Sequence, residues 1–345
     1  MRKTSLIFPL AISLSLTGLA GAPRGVEAAE SGRPLLVSTR NGVRLQLPTG
    51  VRIPLPAPAG STFEQAASLG DGWIVAGLAP DAQGRSELLL LTGDGQAVTQ
   101  LPPPPGRTFA MRQEPLPLIE DGQLAGLLWL EGDDRRSFGV HFAEWDGQEW
   151  SAARTVAPAG PGSQLALTAT RLADGTWIAA WSAFDGQDDE IVWSRRGKDG
   201  AWSRSRRVVA NNQVPDVTPA LTATREGVFL AWSRYDGNDY RVAVSRFRGG
   251  QWTAPVDVAP GGSGFPSFEP APGGRTWMLY RNAVPRGWTV AELDKAGRLV
   301  RQATAATATA ERPIVEATGA RSNPGLALSW PGRAERIGAD WEKKQ

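Results

Sequence analysis

Apolar and polar residues alternate in short runs along most of the chain, which is the pattern of half-buried β-strands. In RVAVSRF, at 241–247, Val242, Val244 and Arg246 fall on one face. The runs end at glycine, Asp-Gly or proline, and glycine suits these places because a tight hairpin turn needs a positive φ. Long runs with helical period are missing from the sequence. We therefore predict an all-β fold of many short strands.

The strands group into a unit that recurs about every 50 residues. In five units one apolar run ends at an aromatic residue, with steps of 52, 51, 48 and 50 residues along the series Trp129, Trp181, Trp232, Tyr280 and Trp330; an earlier copy has Leu78 in this place. The clearest copy, 218–260, reads as four strands separated by three turns. A four-stranded unit repeated every ~40–50 residues is the signature of a β-propeller blade. Two tandem sandwiches would not carry one period across the middle of the chain.

A second tryptophan follows the glycine turn that ends the third strand of three units. Trp150, Trp202 and Trp252 take this place in DGQEW, DGAW and RGGQW. A large flat ring at the start of the fourth strand can cover the gap between neighbouring sheets. We predict that these tryptophans pack between blades.

The unit count predicts a six-bladed propeller in a single domain, 34–341. The five complete units lie near 63–106, 111–160, 163–212, 214–262 and 264–309. The segment 311–341 supplies three further strands, and an N-terminal strand near 50–60 would complete this sixth blade. Strands from both termini would then close the ring, which removes exposed sheet edges. Residues 34–48 have no assigned place in this scheme, and seven blades are the alternative.

The first strand of a propeller blade lines the central channel, so its first residues should surround the channel mouth. Aligning these strands on a shared proline position gives six candidate ligand-binding residues: Gln65, Glu114, Gln164, Thr218, Glu269 and Arg312. The turns predicted on the same face are acidic, with Asp133-Asp134, Asp185–Asp189 and Asp236–Asp239. Such a mouth suits a cation, an amine or a polyol such as a sugar. We expect no cofactor; Ca²⁺ is left open, although no single loop has EF-hand spacing.

Catalytic constellations are scarce in this chain. It has no cysteine, and its one histidine, His141, falls on a predicted third strand away from the channel, where we expect a structural role. Paired carboxylates of the mouth, Glu114 with Glu269 or Glu64 with Glu114, would suit glycoside hydrolysis if their separation allowed it. Basic residues are scattered and the formal net charge is only +2, so we expect no nucleic-acid partner.

The unit pattern resembles the BNR, or Asp-box, repeats of the sialidase-like propellers. The resemblance rests on TPALTATREGVFLAWSRYDG and SRRGKDGAWS and covers roughly 63–340. It implies a six-bladed propeller and, if catalysis survived, exo-sialidase-like glycoside cleavage. VRIP at 51–54 matches the family's F/Y-R-I-P motif in letters, but the strand pattern puts Arg52 on a fourth strand, far from the channel.

The N-terminus has the form of an export signal. Arg2 and Lys3 precede an apolar run at 5–22, and Val26-Glu27-Ala28 offers a cleavage site, with an uncleaved anchor as the alternative. We expect a periplasmic or extracellular, monomeric propeller that binds a glycan, peptide or protein at its channel mouth without catalysis. A divergent glycoside hydrolase that uses mouth carboxylates is the second hypothesis.

Overall fold

A computed structural model of the chain consists of seven antiparallel sheets that follow one another along the sequence. It describes the residues 34–39, 42–94, 97–107, 110–133, 137–210, 212–225, 227–284, 286–309, 311–319, 324–330, 333–338 and 341–343. The export signal predicted at 1–28 lies outside these residues. Among them, no helix is long and apolar enough to cross a membrane.

In each sheet the first three strands form a meander, with neighbouring strands consecutive in sequence. Blade 1 contains β1 Leu35–Thr39, β2 Gly42–Gln46 and β3 Arg52–Pro54. Blade 2 contains β4 Thr62–Leu69, β5 Gly72–Pro80, β6 Ser86–Gly93 and β7 Val98–Leu101. Blade 3 contains β8 Met111–Glu120, β9 Gln123–Gly132, β10 Phe138–Glu144 and β11 Arg154–Ala157.

The remaining blades follow the same plan. Blade 4 contains β12 Gln164–Arg171, β13 Trp177–Phe184, β14 Asp189–Arg196 and β15 Arg206–Arg207. Blade 5 contains β16 Asp216–Thr224, β17 Gly227–Tyr235, β18 Tyr240–Arg248, β19 Gln251–Trp252 and β20 Val256–Ala259. Blade 6 contains β21 Ser263–Glu269, β22 Thr276–Asn282, β23 Gly287–Leu293 and β24 Leu299–Thr304. Blade 7 contains β25 Ile314–Thr318, β26 Gly325–Trp330 and β27 Arg333–Ile337. The last strand, β28 Glu342–Lys343, pairs with β24 of blade 6.

The protein is therefore a seven-bladed β-propeller, and the prediction of six blades with a shared terminal blade was wrong. The segment 35–54 forms a sheet of its own, β1–β3, and does not complete the sheet β25–β27. The strands of the hairpin β1–β2 lie within the 34–48 segment that the repeat pattern had left unplaced. It pairs in full register from Leu35–Gln46 to Thr39–Gly42, and its buried Leu45 joins a core with blade 2.

The hydrophobic core lies in layers between successive blades. Among the described residues, six clusters connect the seven blades in order, from blade 1 with blade 2 to blade 6 with blade 7. Both faces of an inner strand are therefore buried, and β17 shows this as the unbroken buried run from Val228 to Ser233. An apolar run of this kind is expected when a sheet is covered on both sides.

The tryptophans that follow the third-strand turns do pack between blades, as predicted. Trp252 of blade 5 lies in the cluster with blade 4, where its ring meets the edge of Trp193 at 6.1 Å. Trp202 of blade 4 contacts Phe142 of blade 3 at 5.6 Å between ring centroids. Trp150 packs against the blade 2 and blade 3 cluster, and its Nε1 donates a hydrogen bond to the Pro102 carbonyl at 2.8 Å.

Candidate functional site

The first strands lie at the centre of the ring, since those of blades 2 to 6 contact one another in sequence. Each of these five strands has a break in its pairing register near its start. In blades 3 to 6 two residues of the first strand oppose a single residue of the second, which defines a β-bulge. That single residue is the repeated aromatic: Trp129, Trp181, Trp232 or Tyr280.

These bulges define a ring of equivalent positions near the channel entrance. In blades 3 to 6 the first bulge residue has a left-handed backbone, with φ of 48° to 57° at Glu114, Ala166, Thr218 and Phe265. L-residues rarely adopt this conformation, and it costs roughly 1–3 kcal/mol. In blade 2 the extra residue is Glu64. In blade 7 Arg312 has the matching position, because Ile314 pairs with the residue before Trp330. We call this set, Glu64, Glu114, Ala166, Thr218, Phe265 and Arg312, the bulge ring.

Three of the six residues selected from the sequence lie on the bulge ring: Glu114, Thr218 and Arg312. Gln65 follows the ring position of blade 2 by one residue and is exposed. Gln164 precedes the ring position of blade 4 by two residues and is buried, where its Oε1 accepts a hydrogen bond from Trp181 Nε1 at 2.6 Å. It holds the repeated tryptophan instead of facing a ligand.

Glu269 does not lie at the channel mouth, where the sequence alignment had placed it, but further along the first strand of blade 6. It is the last residue of β21, four residues beyond Phe265, which corresponds to ~13 Å along a strand. Its side chain is almost fully buried and accepts a hydrogen bond from Arg312 Nη2 at 2.5 Å. The same Nη2 donates to Ser267 Oγ at 3.1 Å. Arg312 of blade 7 therefore binds blade 6. Since Glu269 lies beyond the bulge ring and Glu114 lies on it, the two carboxylates do not form the pair considered for glycoside hydrolysis.

The two acidic members of the bulge ring interact. Burial, and then repulsion from Glu114, raises the pKa of Glu64 to about 7. The Glu64 side chain is nevertheless accessible to solvent. The two observations agree if the carboxyl group faces the channel and has protein on most other sides, which reduces its hydration. Burial also raises the pKa of Glu114, against the opposing effect of two backbone hydrogen bonds. A protonated carboxyl beside a carboxylate can both donate to and accept from ligand hydroxyls.

Glu114 is held by the neighbouring blade. Its Oε2 accepts a hydrogen bond from the Leu167 backbone N–H at 2.6 Å, and its Oε1 accepts one from Ala166 at 3.1 Å. Both donors belong to the bulge of blade 4, so the carboxylate of one bulge binds the backbone of the next. The position and orientation of Glu114 are thus fixed before any ligand arrives.

Phe265, like Ala166, is a ring member that sequence reasoning missed. Its side chain is 47 % exposed although it sits among buried strands, and its backbone N–H donates to Ser233 Oγ of blade 5 at 2.9 Å. Ser233 Oγ is also 2.6 Å from Thr218 Oγ1. The alignment had placed blade 6 on Glu269-Pro270, whereas the bulge is Phe265-Pro266. The signal was present as a proline preceded by an aromatic residue, at the same spacing from Tyr280 as Glu114 from Trp129.

Two other residues considered from the sequence lie away from the ring. His141 is on the third strand of blade 3, as predicted, and stacks on Trp129 with ring centroids 5.9 Å apart. Burial lowers its pKa. Arg52 of the VRIP segment is on β3, the third strand of blade 1, where its Nε donates to Gln46 Oε1 at 2.9 Å.

A shallow depression of about 350 Å³ lies at the other end of blade 3. Trp145 and Trp150 pack there with ring centroids 4.8 Å apart. Two of its polar groups are already engaged: Glu144 Oε1 accepts a hydrogen bond from Arg196 Nη2 at 2.7 Å, and Trp150 Nε1 is bonded to Pro102. It is a second concave surface, and its lining carries the carboxylates of Glu120, Glu144, Asp146 and Glu149 against the guanidinium of Arg196.

No protein-family model matches this sequence, and no curated protein matches it. Among solved structures, the BP39L lectin from Burkholderia pseudomallei is 13 % identical over 90 % of this chain and 95 % of the lectin, with a TM-score of 0.57. A protein of unknown function from Dyadobacter fermentans is 15 % identical over 81 % and 98 % of the two chains, with a TM-score of 0.50. The GH93 α-L-arabinofuranosidase of Fusarium graminearum is 10 % identical over 81 % and 94 %, with a TM-score of 0.49. At such identities the similarity is one of fold, that of the β-propellers.

Proposed function

We propose that this protein is an exported, monomeric β-propeller that binds a glycan at the bulge ring and does not cleave it. Lectins and hydrolases both occur on propellers, so the fold does not decide between binding and catalysis. The choice rests on the chemistry of the ring residues.

The observation that carries the proposal is the exposed ring of Phe265 at the level of Glu64, Glu114 and Thr218. An aromatic face packs against the C–H face of a sugar ring, while carboxylates and hydroxyls beside it bind the sugar hydroxyls. Ligand sites combine apolar contact area with a few positioned polar groups in this way. A peptide or protein partner would need a wider apolar surface than one exposed phenylalanine.

The state of Glu114 argues against catalysis. Both of its oxygens accept backbone hydrogen bonds from blade 4, at 2.6 and 3.1 Å. A nucleophile or general base must direct a lone pair at the substrate, and these bonds hold the carboxylate towards Ala166 and Leu167. The Arg312 guanidinium is likewise engaged by Glu269 and Ser267, so it is not arranged as a clamp for a sugar carboxylate.

One observation favours the second candidate, a divergent glycoside hydrolase. A carboxyl with a pKa near 7 is suited to act as a general acid at neutral pH, and Glu64 has a pKa of about 7. In that case Glu64 would protonate the leaving group and Glu114 would be its partner carboxylate.

The test is a glycan array with the purified full-length protein, followed by affinity measurements on the best ligand. Phe265→Ala should weaken binding at least about tenfold with only a small loss of stability, because about half of the side chain is exposed. Val300→Ala, at another exposed apolar residue, is the matched control and should bind as the native protein does. Trp145→Ala tests the depression at the other end of blade 3.

Binding that survives Phe265→Ala but is lost in Trp145→Ala would refute the ring as the site. Turnover of fluorogenic glycosides that disappears in Glu64→Gln would refute the non-catalytic assignment and favour the hydrolase. Absence of any glycan ligand would refute the proposal as a whole.

A further inference from the structure

The turn between β13 and β14 of blade 4 gathers three carboxylates. Asp185 and Asp188 lie in the turn, and Glu190 is the second residue of β14. One carboxylate oxygen from each lies within 4.8 Å of the other two. Asp216, at the start of the first strand of blade 5, is close to the same cluster, because Asn212 donates from its backbone N–H to Glu190 Oε1 at 3.1 Å and from its Nδ2 to Asp216 Oδ2 at 3.3 Å.

Several of these oxygens are buried without a hydrogen-bond partner. Asp188 is 7 % exposed, and within the described ranges neither of its carboxylate oxygens accepts a hydrogen bond. The same is true of Glu190 Oε2 and Asp216 Oδ1, on residues that are 1 % and 0 % exposed. Burying a charged group without a partner is strongly unfavourable. Arg234 Nε lies 3.8 Å from Asp216 Oδ1, so the other three oxygens are those that require a cation or protons.

The arginines near the cluster do not balance its charge. Arg207 Nη2 donates to Asp185 Oδ2 at 2.9 Å, and Arg234 Nε is 3.8 Å from Asp216 Oδ1. Four carboxylates against two guanidinium groups leave two negative charges.

The corresponding turn of blade 5 has an arginine where blade 4 has its third carboxylate. Asp185-Gly-Gln-Asp188 corresponds to Asp236-Gly-Asn-Asp239, with the same hydrogen bonds from the turn backbone to the first aspartate. Two residues after Asp239, however, the chain has Arg241 where blade 4 has Glu190. Arg241 Nε binds Asp236 Oδ2 at 2.5 Å, so blade 5 supplies its own cation.

We infer that the blade 4 turn binds a Ca²⁺ ion through Asp185, Asp188 and Glu190, with Asp216 completing the negative shell from blade 5. All the donors are oxygens, which selects a hard cation, and Ca²⁺ accepts oxygen ligands at about 2.4 Å in irregular arrangements. Two oxygens on opposite sides of Ca²⁺ are then about 4.8 Å apart, whereas the shorter Mg²⁺–O distance requires a tighter octahedral cage. The bound ion would tie blade 4 to blade 5. This site is independent of glycan binding at the bulge ring.

Equilibrium dialysis of the full-length protein against radioactive Ca²⁺ at pH 8, after exhaustive chelation, tests the inference. The native protein should bind one ion per chain, and Mg²⁺ in equal concentration should not displace it. Asp188→Asn should weaken binding at least about tenfold, since it removes a ligand charge. Asp239→Asn changes the equivalent residue of blade 5 and should leave the affinity unchanged.

Thermal melting gives a second measurement that does not depend on activity. Ca²⁺ at about 100 times its dissociation constant should raise the melting temperature of the native protein by about 4 °C. Asp188→Asn should melt at or above the native temperature without Ca²⁺, because a repulsive buried charge is gone, and should gain nothing when Ca²⁺ is added. Failure of the native protein to bind at about 5 mM Ca²⁺ would overturn the inference. So would equal binding by Asp188→Asn, or a loss of binding in Asp239→Asn.

Discussion

Replacing Glu114 should reveal how strongly the bulge ring ties adjacent blades together. The Glu114 carboxylate accepts two backbone hydrogen bonds from blade 4, and Glu114→Ala removes both acceptors. A hydrogen bond to a charged group contributes about 1.5–3 kcal/mol, so two such bonds set an upper range of about 3–6 kcal/mol. Burial of the carboxylate offsets part of this, as its raised pKa indicates. We expect a loss of about 3 kcal/mol in the free energy of unfolding.

The left-handed backbone at Glu114 makes a sharper prediction. Its φ is 48°, which alanine tolerates poorly and glycine adopts freely. Glu114→Gly should therefore be more stable than Glu114→Ala by about 1 kcal/mol, the reverse of the usual order within a strand. Glu114→Gln keeps one acceptor oxygen and should lose about half as much as Glu114→Ala.

Chemical denaturation at pH 8, followed by tryptophan fluorescence, measures these differences. Glu149→Ala, at an exposed glutamate of a hairpin turn, is the control and should change the unfolding free energy by less than about 0.5 kcal/mol. An alanine variant as stable as the native protein would show that the inter-blade bonds contribute nothing. A glycine variant less stable than the alanine variant would refute the argument from backbone conformation.

Three further predictions concern stability. Because the pKa of Glu64 rises from 4.5 to about 7 on folding, the protonated form is favoured in the folded state, so the free energy of unfolding should fall as the pH rises from 4.5 through 7. Channel water screens the charge, so we expect a fall of about 1 kcal/mol, seen in denaturation curves at pH 5 and pH 8 and absent in Glu64→Gln. Arg301→Met should cost about 3 kcal/mol in denaturation experiments, since it removes the 2.8 Å partner of the buried Glu292 carboxylate; a neutral result would mean that the other partners of Glu292 suffice. Trp252→Ala should cost about 3 kcal/mol and Trp252→Phe clearly less, because the ring fills the space between blades 4 and 5; equal losses would show that filling this space with an aromatic ring does not matter.

The repeat and the propeller could be predicted from sequence because both follow from local signals. The aromatic at the end of the second strand and the tryptophan after the third-strand turn recur at nearly constant spacing, and each does the same packing in every blade where it occurs. The number of blades could not be predicted, because the terminal sheets have only three strands in the described part of the chain and lack the full unit. A missing strand at each end invites the assumption that the two ends share a sheet. The hairpin at 35–46 buries its own Leu45 against blade 2, and this tertiary contact decided in favour of a separate blade.

The candidate site could be predicted where the first proline of the strand was taken as the mark of the bulge. This was so for Glu114-Pro115, Thr218-Pro219 and Arg312-Pro313, and all three were placed at the correct level. Blade 6 has two candidates, Pro266 and Pro270, and only the pairing of β21 with β22 shows that the first lies in the bulge opposite Tyr280. A shift of four residues moved the assignment from an exposed phenylalanine to a buried glutamate. Spacing from the strand-two aromatic is therefore a better guide to the bulge ring than proline itself, because the aromatic sets the register across which the bulge forms.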